Sequence, residues 1–157
     1  MIRIGITGHR DLTPRVSGHV AELLKARLEP YGHAVVGLSC LADGADTLFA
    51  EAILAAGASL EAIVPASGYR EALPALHHPV YDRLLAQATL VHELPHAVSD
   101  PHAHMTAGRL LVERSDRLLA VWDGQPARGP GGTADVVAYA HALARPVTTL
   151  WPQGARR

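Results

Sequence analysis

The sequence predicts an α/β fold: a single Rossmann-like, doubly wound, mainly parallel sheet of about six strands with helices on both faces. Three observations predict it. Short apolar runs of strand length alternate with segments of helical periodicity. Glycine-bearing loops follow the first, second and fifth of those runs. The 157 residues, 48% hydrophobic and 18% charged, suit one globular domain with a sizeable core. The domain is expected over residues 1–152, with a polar C-terminal tail, 153–157, that is mobile at its end.

Ile2 to Thr7 reads as the first strand and runs into the turn Thr7-Gly8-His9-Arg10-Asp11. Thr13-Pro14 marks a helix start, as N-cap and first helical residue. That helix extends to about Glu29, with Val16, Val20, Leu23, Leu24 and Leu28 on its apolar side, and Pro30-Tyr31-Gly32 stops it. Ala34 to Ser39 is the second strand and Cys40 to Asp46 the loop after it. Asp43 or Asp46 is placed to cap the next helix, which carries Leu48, Phe49, Ala52, Ile53 and Ala56 and ends before Gly57. Leu60 to Val64 is the third strand, followed by a turn over Ala66 to Tyr69. A helix from Pro79 to Ala88 turns Val80, Leu84 and Leu85 inward, and Leu90 to Leu94 is the fourth strand. Pro95 to His104 reads as a loop and Met105 to Arg114 as a helix.

The stretch from Arg117 to Tyr139 organises the rest. Leu118 to Trp122 is the fifth strand; Gly124, Gly129, Gly131 and Gly132 lie in the turn. A helix then starts with Thr133 as N-cap, buries Val136, Val137, Tyr139 and Ala140, and ends near Ala144. Strand, glycine-rich turn and helix N-terminus together aim backbone N–H groups at a phosphate. Val147 to Trp151 closes the sheet. Placing the first and fifth strands side by side sets Thr7-Gly8-His9-Arg10 against Gly129 to Thr133, with the loop after the second strand adjacent, where a doubly wound sheet binds ligands.

Composition excludes several classes. A net charge of −1 gives no electrostatic footprint for nucleic acid or an acidic membrane, and 4% aromatics gives no stacking platform for single strands. One cysteine, Cys40, excludes an internal disulfide framework and suits a cytoplasmic location; no signal peptide h-region follows Met1. No apolar run reaches membrane-spanning length. The absence of Gly-Lys-Ser/Thr excludes a P-loop NTPase. His92, His96, Asp100, His102 and His104 match no tight metal-ligand spacing, so no metal site is assigned and a solvated loop is expected.

Several segments occur together in a recurring order: Thr7-Gly8-His9-Arg10; Leu41-Ala42-Asp43-Gly44-Ala45-Asp46 with Ala50-Glu51; Ile63-Val64-Pro65; Ser115 to Gly124; and Gly131-Gly132-Thr133 with Tyr139-Ala140. This set resembles the SLOG superfamily of Rossmann-like nucleotide-binding proteins, in particular its small single-domain bacterial members with a Thr-Gly-His-Arg first loop. Kin include Lonely Guy phosphoribohydrolases, molybdenum-cofactor carriers and the DNA-processing protein of transformation. The resemblance implies binding of a nucleotide or nucleotide derivative and a homodimer. It also exposes departures. The Lonely Guy motif Gly-Gly-x-Gly-Thr-x-x-Glu ends on a catalytic glutamate, whose place here is Val136, with Asp135 one residue earlier. The family's helix arginine falls on Ala107, with Arg109 two residues on. The loop also lacks the glycine between Gly132 and Thr133.

Arg10 is the leading phosphate ligand, since a guanidinium pairs bidentately with phosphate oxygens; the alternative is a surface pair with Asp11. Gly8, His9, Asp43, Gly44, Asp46, Asp123, Gly129, Gly131, Gly132 and Thr133 complete the candidate binding set. Asp43 or Asp46 can also hold ribose hydroxyls. Cleavage of an N-glycosidic bond needs a carboxyl near the anomeric carbon, for which Asp46, Asp123 and Asp135 are the candidates. Cys40 reads as a small buried thiol, and Trp122 and Trp151 as packing residues. The expected function is binding of a nucleotide-like ligand through its phosphate. Phosphoribohydrolase activity and molybdenum-cofactor carriage are the alternatives. No cofactor is assigned beyond a bound nucleotide.

Overall fold

The computed structural model describes residues 1–126 and 132–156. Its strands are β1 (Ile2–Gly8), β2 (Val35–Ser39), β3 (Ser59–Val64), β4 (Leu90–Glu93), β5 (Arg117–Val121) and β6 (Val147–Leu150). They form one six-stranded sheet in the order β4-β3-β2-β1-β5-β6, and every pairing is parallel. The helices are α1 (Pro14–Leu28), α2 (Ala45–Ala55), α3 (Tyr69–Ala72), α4 (His78–Gln87), α5 (Pro101–Glu113) and α6 (Thr133–Ala142). The fold class expected from the sequence is the one observed.

The two apolar faces of the sheet explain the layering. Ile4 and Ile6 of β1 join Val20 and Leu24 of α1, Phe49 and Ile53 of α2, and Tyr81 and Leu84 of α4 in one core cluster. Leu38, Ile63, Leu118 and Ala120 point the other way and join Leu111 of α5 with Val136, Val137 and Ala140 of α6. Residues one apart on a strand face opposite sides, so a sheet covered on both faces must be apolar throughout. That is why the strands read as unbroken apolar runs.

The local signals hold in part. The Thr13 hydroxyl accepts the Val16 N–H at 3.3 Å, and Pro14 opens α1. A single 3₁₀ turn over Glu29–Tyr31 ends it, and Leu23 is exposed rather than inward. Leu23 lies about 60° round the helix from Val20, on the flank of the stripe. The expected loop Pro95 to His104 contains the first turn of α5, whose N-cap is Asp100, with Oδ1 taking the Ala103 N–H at 2.8 Å. Asp100-Pro101 is the same start signature as Thr13-Pro14. The turn over Ala66 to Tyr69 leads into α3, with Tyr69 buried.

Two other expected caps are not caps. Gly132, extended at φ −74° and ψ 177°, is the N-cap of α6, so Thr133 becomes its first helical residue. Gly44 is the N-cap of α2, and neither Asp43 nor Asp46 caps it. The tail turns back: the Trp151 indole donates to the Ala155 carbonyl at 3.0 Å, and Ala155 packs on the core.

Candidate functional site at the carboxyl ends of β1 and β5

The chain reverses its winding between β1 and β5, which pair from Ile4↔Arg117 to Gly8↔Val121. A cavity of about 420 Å³ opens there. The β1 turn lines it from Thr7 to Asp11, and the start of α6 lines it with Gly132, Thr133 and Ala134. Cys40 and Ala42 come from the β2–α2 connection, Asp46 from the first turn of α2, Tyr69 from α3, and His104, Gly108 and Leu111 from α5.

Close backbone approach builds this corner. A Cβ on Gly8 would stand 2.5 Å from the Ala45 Cβ and 2.8 Å from the Val121 Cβ. Gly44 has φ +84°, and a Cβ there would stand 2.2 Å from the Arg10 carbonyl oxygen. The Ala45 N–H donates to the His9 carbonyl at 3.1 Å, and the His9 N–H to the Val121 carbonyl at 3.0 Å. The β1 turn is therefore stitched to both β5 and α2, and Gly44 acts through packing rather than from the cavity wall.

Arg10 is not paired with Asp11. Its Nε and one terminal nitrogen both donate to Asp43 Oδ1, at 3.0 and 2.8 Å. The other terminal nitrogen makes no hydrogen bond among the described residues. Asp43 thus orients Arg10 from behind and does not line the cavity. The His9 ring packs edge-on against Trp151, centroids 5.3 Å apart, and its Nε2 accepts the Asp123 N–H at 3.2 Å. Asp123 Oδ1 takes the Gln125 N–H at 3.0 Å and lies 3.3 Å from His9 Nε2, closing the turn after β5.

Asp46 faces the cavity from the first turn of α2. Its Oδ2 accepts the Ala42 N–H at 3.2 Å. Burial among protein atoms raises its pKa to about 7, against the lowering influence of that hydrogen bond and of Arg10. The loop that carries it is strained. Leu41, fully buried, sits at φ +61°, a region L side chains rarely occupy. The buried His77 ring holds it there, its Nε2 donating to the Leu41 carbonyl at 2.9 Å. The Ser39 hydroxyl accepts the Leu41 N–H at 3.1 Å.

Among the wall residues missed in the sequence are two with titratable rings. His104, assigned to a solvated loop, lines the cavity from α5, with Nε2 2.8 Å from the Ser99 hydroxyl. Desolvation, and then the nearby Arg10 charge, lower its pKa. Tyr69 packs edge-on against it, centroids 6.1 Å apart, and burial holds the phenol well above its ordinary pKa. The helical spacing of His104 with Gly108 and Leu111 was the available signal. Cys40 also lines the cavity, and desolvation pushes its thiol up, which disfavours a nucleophilic thiolate.

Other candidates lie apart. Asp135, in the first turn of α6, is outside the cavity lining. Gly129 and Gly131 lie outside the described residues. Val136 and Ala107, at the places of the Lonely Guy pair, are both buried and apolar, and Val136 forms part of the wall. Arg109 sits outside with its guanidinium over the Tyr139 ring, 5.7 Å from its centroid. His96 and His102 contact each other edge-on, and among the described residues no group of three or more His, Cys, Asp or Glu could hold a metal ion. No described helix is long and apolar enough to cross a membrane.

No family model matches the chain, and no curated relative does. Solved structures do. DNA processing protein A from Helicobacter pylori, which binds single-stranded DNA, superposes with a TM-score of 0.73 at 21% identity, over 99% of this chain and 67% of that one. Its counterpart from Streptococcus pneumoniae gives 0.71 at 15%, over 98% of this chain and 51% of its own. The molybdenum cofactor carrier protein from Chlamydomonas reinhardtii gives 0.61 at 19%, over 98% and 78%. This chain thus spans about two thirds and about half of the two DNA processing proteins. At 15–21% identity these likenesses show a shared fold, the Rossmann-like parallel sheet with its switch-point cavity.

Proposed function

We propose that the cavity binds a nucleotide or nucleotide-derived ligand through its phosphate. The observation that carries this reading is the meeting of the β1 turn and the α6 N-terminus around about 420 Å³ of space. That volume lies in the range of small-molecule sites. The first N–H groups of α6 and the guanidinium of Arg10 supply the phosphate contacts. Thr133 adds a hydroxyl at the same end. Asp46 stands across the cavity, where a carboxyl can take ribose hydroxyls.

Mass spectrometry of the small molecule released on denaturing the purified protein tests the reading directly. A thermal-shift panel sets nucleoside monophosphates against the two ligand classes that the structural neighbours bind, a molybdopterin and a short single-stranded oligonucleotide. Stabilisation by a monophosphate that vanishes in Arg10→Ala supports the proposal; an unchanged shift in that variant removes Arg10 from the site. Stabilisation by the pterin alone would favour a carrier role.

A second reading, cleavage of a nucleotide's N-glycosidic bond, draws on Asp46 alone. A carboxyl with a pKa of about 7, facing a ligand cavity, suits a general acid or base. The apolar Val136 and Ala107 mean that any such activity runs without the Lonely Guy pair. Free base released from a monophosphate by the wild type and not by Asp46→Asn would establish it. The homodimer implied by the resemblance, and the cytoplasmic location that a single cysteine suits, belong to the same proposal.

A further inference from the structure

A second pocket, of about 190 Å³, lies beneath the C-terminal turn of α1 and shares no residue with the cavity above. Its floor is apolar: Ile4, Ala26, Pro30 and Leu119. Its polar groups are two guanidiniums and two hydroxyls. Arg27 donates to the Thr148 hydroxyl at 3.1 Å, and Arg117 to the Tyr31 hydroxyl at 3.4 Å.

The charges there are not balanced. Arg3, Arg10, Arg70 and Arg83 each meet a carboxylate. Among the described residues, Arg27 and Arg117 meet none. Asp116, next to Arg117 in sequence, is turned to the Arg3 N–H at 2.8 Å. A neutral hydroxyl fixes a guanidinium in place without cancelling its charge. The carbonyls at the end of α1 offset part of the charge on Arg27, which stands in the last turn. Arg117 stands on the first residue of β5 and has no such complement.

We infer that this pocket is a second anion site, taking a small oxyanion between Arg27 and Arg117 with a short apolar attachment against Ile4, Pro30 and Leu119. Two forked guanidiniums match two edges of a phosphate or carboxylate, and both hydroxyls are placed to orient them. The pocket volume limits the occupant to the anionic end of a ligand or of a chain.

The test is an NMR titration of the full chain with inorganic phosphate at constant ionic strength, following arginine Nε–H and Tyr31 ring signals. Saturable shifts at Arg27, Arg117 and Tyr31 are expected. They should persist in Arg10→Ala and weaken roughly tenfold or more in Arg117→Gln. Acetate in place of phosphate separates the sources: comparable affinity indicates a carboxylate, weaker affinity a phosphate. Shifts that fail to saturate, or that sodium chloride reproduces, overturn the inference. The wild-type titration decides even if Arg117→Gln fails to fold. Because Arg10 is absent from this pocket, failure of the nucleotide proposal and failure of this one are separately visible.

Discussion

Asp46 and Glu61 are two carboxyls that the fold pushes in opposite directions. Asp46 is raised from 3.8 to about 7 by desolvation. Its neutral form therefore favours the folded state at acidic pH, and that contribution is lost as pH rises through about 7. Glu61 is lowered, first by its hydrogen bonds from Arg3, both at 2.9 Å, and further by His92 at 3.1 Å. Its contribution is present above the ordinary carboxylate range and lost as pH falls through the lowered value. Stability should thus peak between these limits. Asp46→Asn should flatten the alkaline limb, by an amount on the order of a few kcal/mol at most, and Glu61→Gln the acidic one. Urea unfolding at several pH values reads both; an unchanged alkaline limb in Asp46→Asn would refute the assignment. Glu61→Gln should also cost about 1–3 kcal/mol at neutral pH, because Arg3 and His92 lose a charged partner.

At the scale of elements, the β1 turn and the start of α2 behave as one unit. Gly44→Ala puts a methyl 2.2 Å from the Arg10 carbonyl at a φ of +84°, so it should destabilise by about 2–4 kcal/mol. It should also weaken phosphate binding, since the carbonyl it displaces belongs to Arg10. Chemical denaturation gives the first effect and calorimetric titration the second. Asp100→Ala should cost about 1 kcal/mol by uncapping α5, without altering the cavity wall at His104. His77→Ala removes the donor that holds the strained Leu41 carbonyl. It should change the Asp46 titration, followed by carboxyl-carbon NMR, more than an exposed histidine such as His19 does when replaced.

Boundaries show how far local sequence reasoning reached. The strands and the start of α1 were legible because their signals are local: apolar runs, and a threonine before a proline. Asp100-Pro101 carried the same signal, but the run of histidines there suggested solvent. Thr133 and Gly132 compete for one cap, and the winner depends on which backbone is extended when α6 docks, which the residues alone do not state. Leu23 was misassigned because an apolar residue on the flank of a stripe looks, in one dimension, like a member of it.

For the whole molecule, ligand binding and folding are linked. A ligand at one hundred times its dissociation constant should add about 2.7 kcal/mol to unfolding, and a domain of this size should then melt a few degrees higher. Differential scanning calorimetry with and without a nucleoside monophosphate reads this, and Arg10→Ala should remove the increment. Higher salt should reduce it too, because the rim charges are exposed.

The linear chain by itself determined the layering, the parallel sheet and the glycine-bearing turns after β1 and β2, because burial on both faces and chain reversal leave residue-level marks at short range. Only the tertiary structure decided which side chains share a wall. Arg10 turned to Asp43 rather than Asp11, His104 and Tyr69 entered the cavity from α5 and α3, and Arg27 and Arg117 came together from a helix and a strand. Such contacts join residues far apart in sequence, and their partners are set by strand order and helix docking rather than by any local preference.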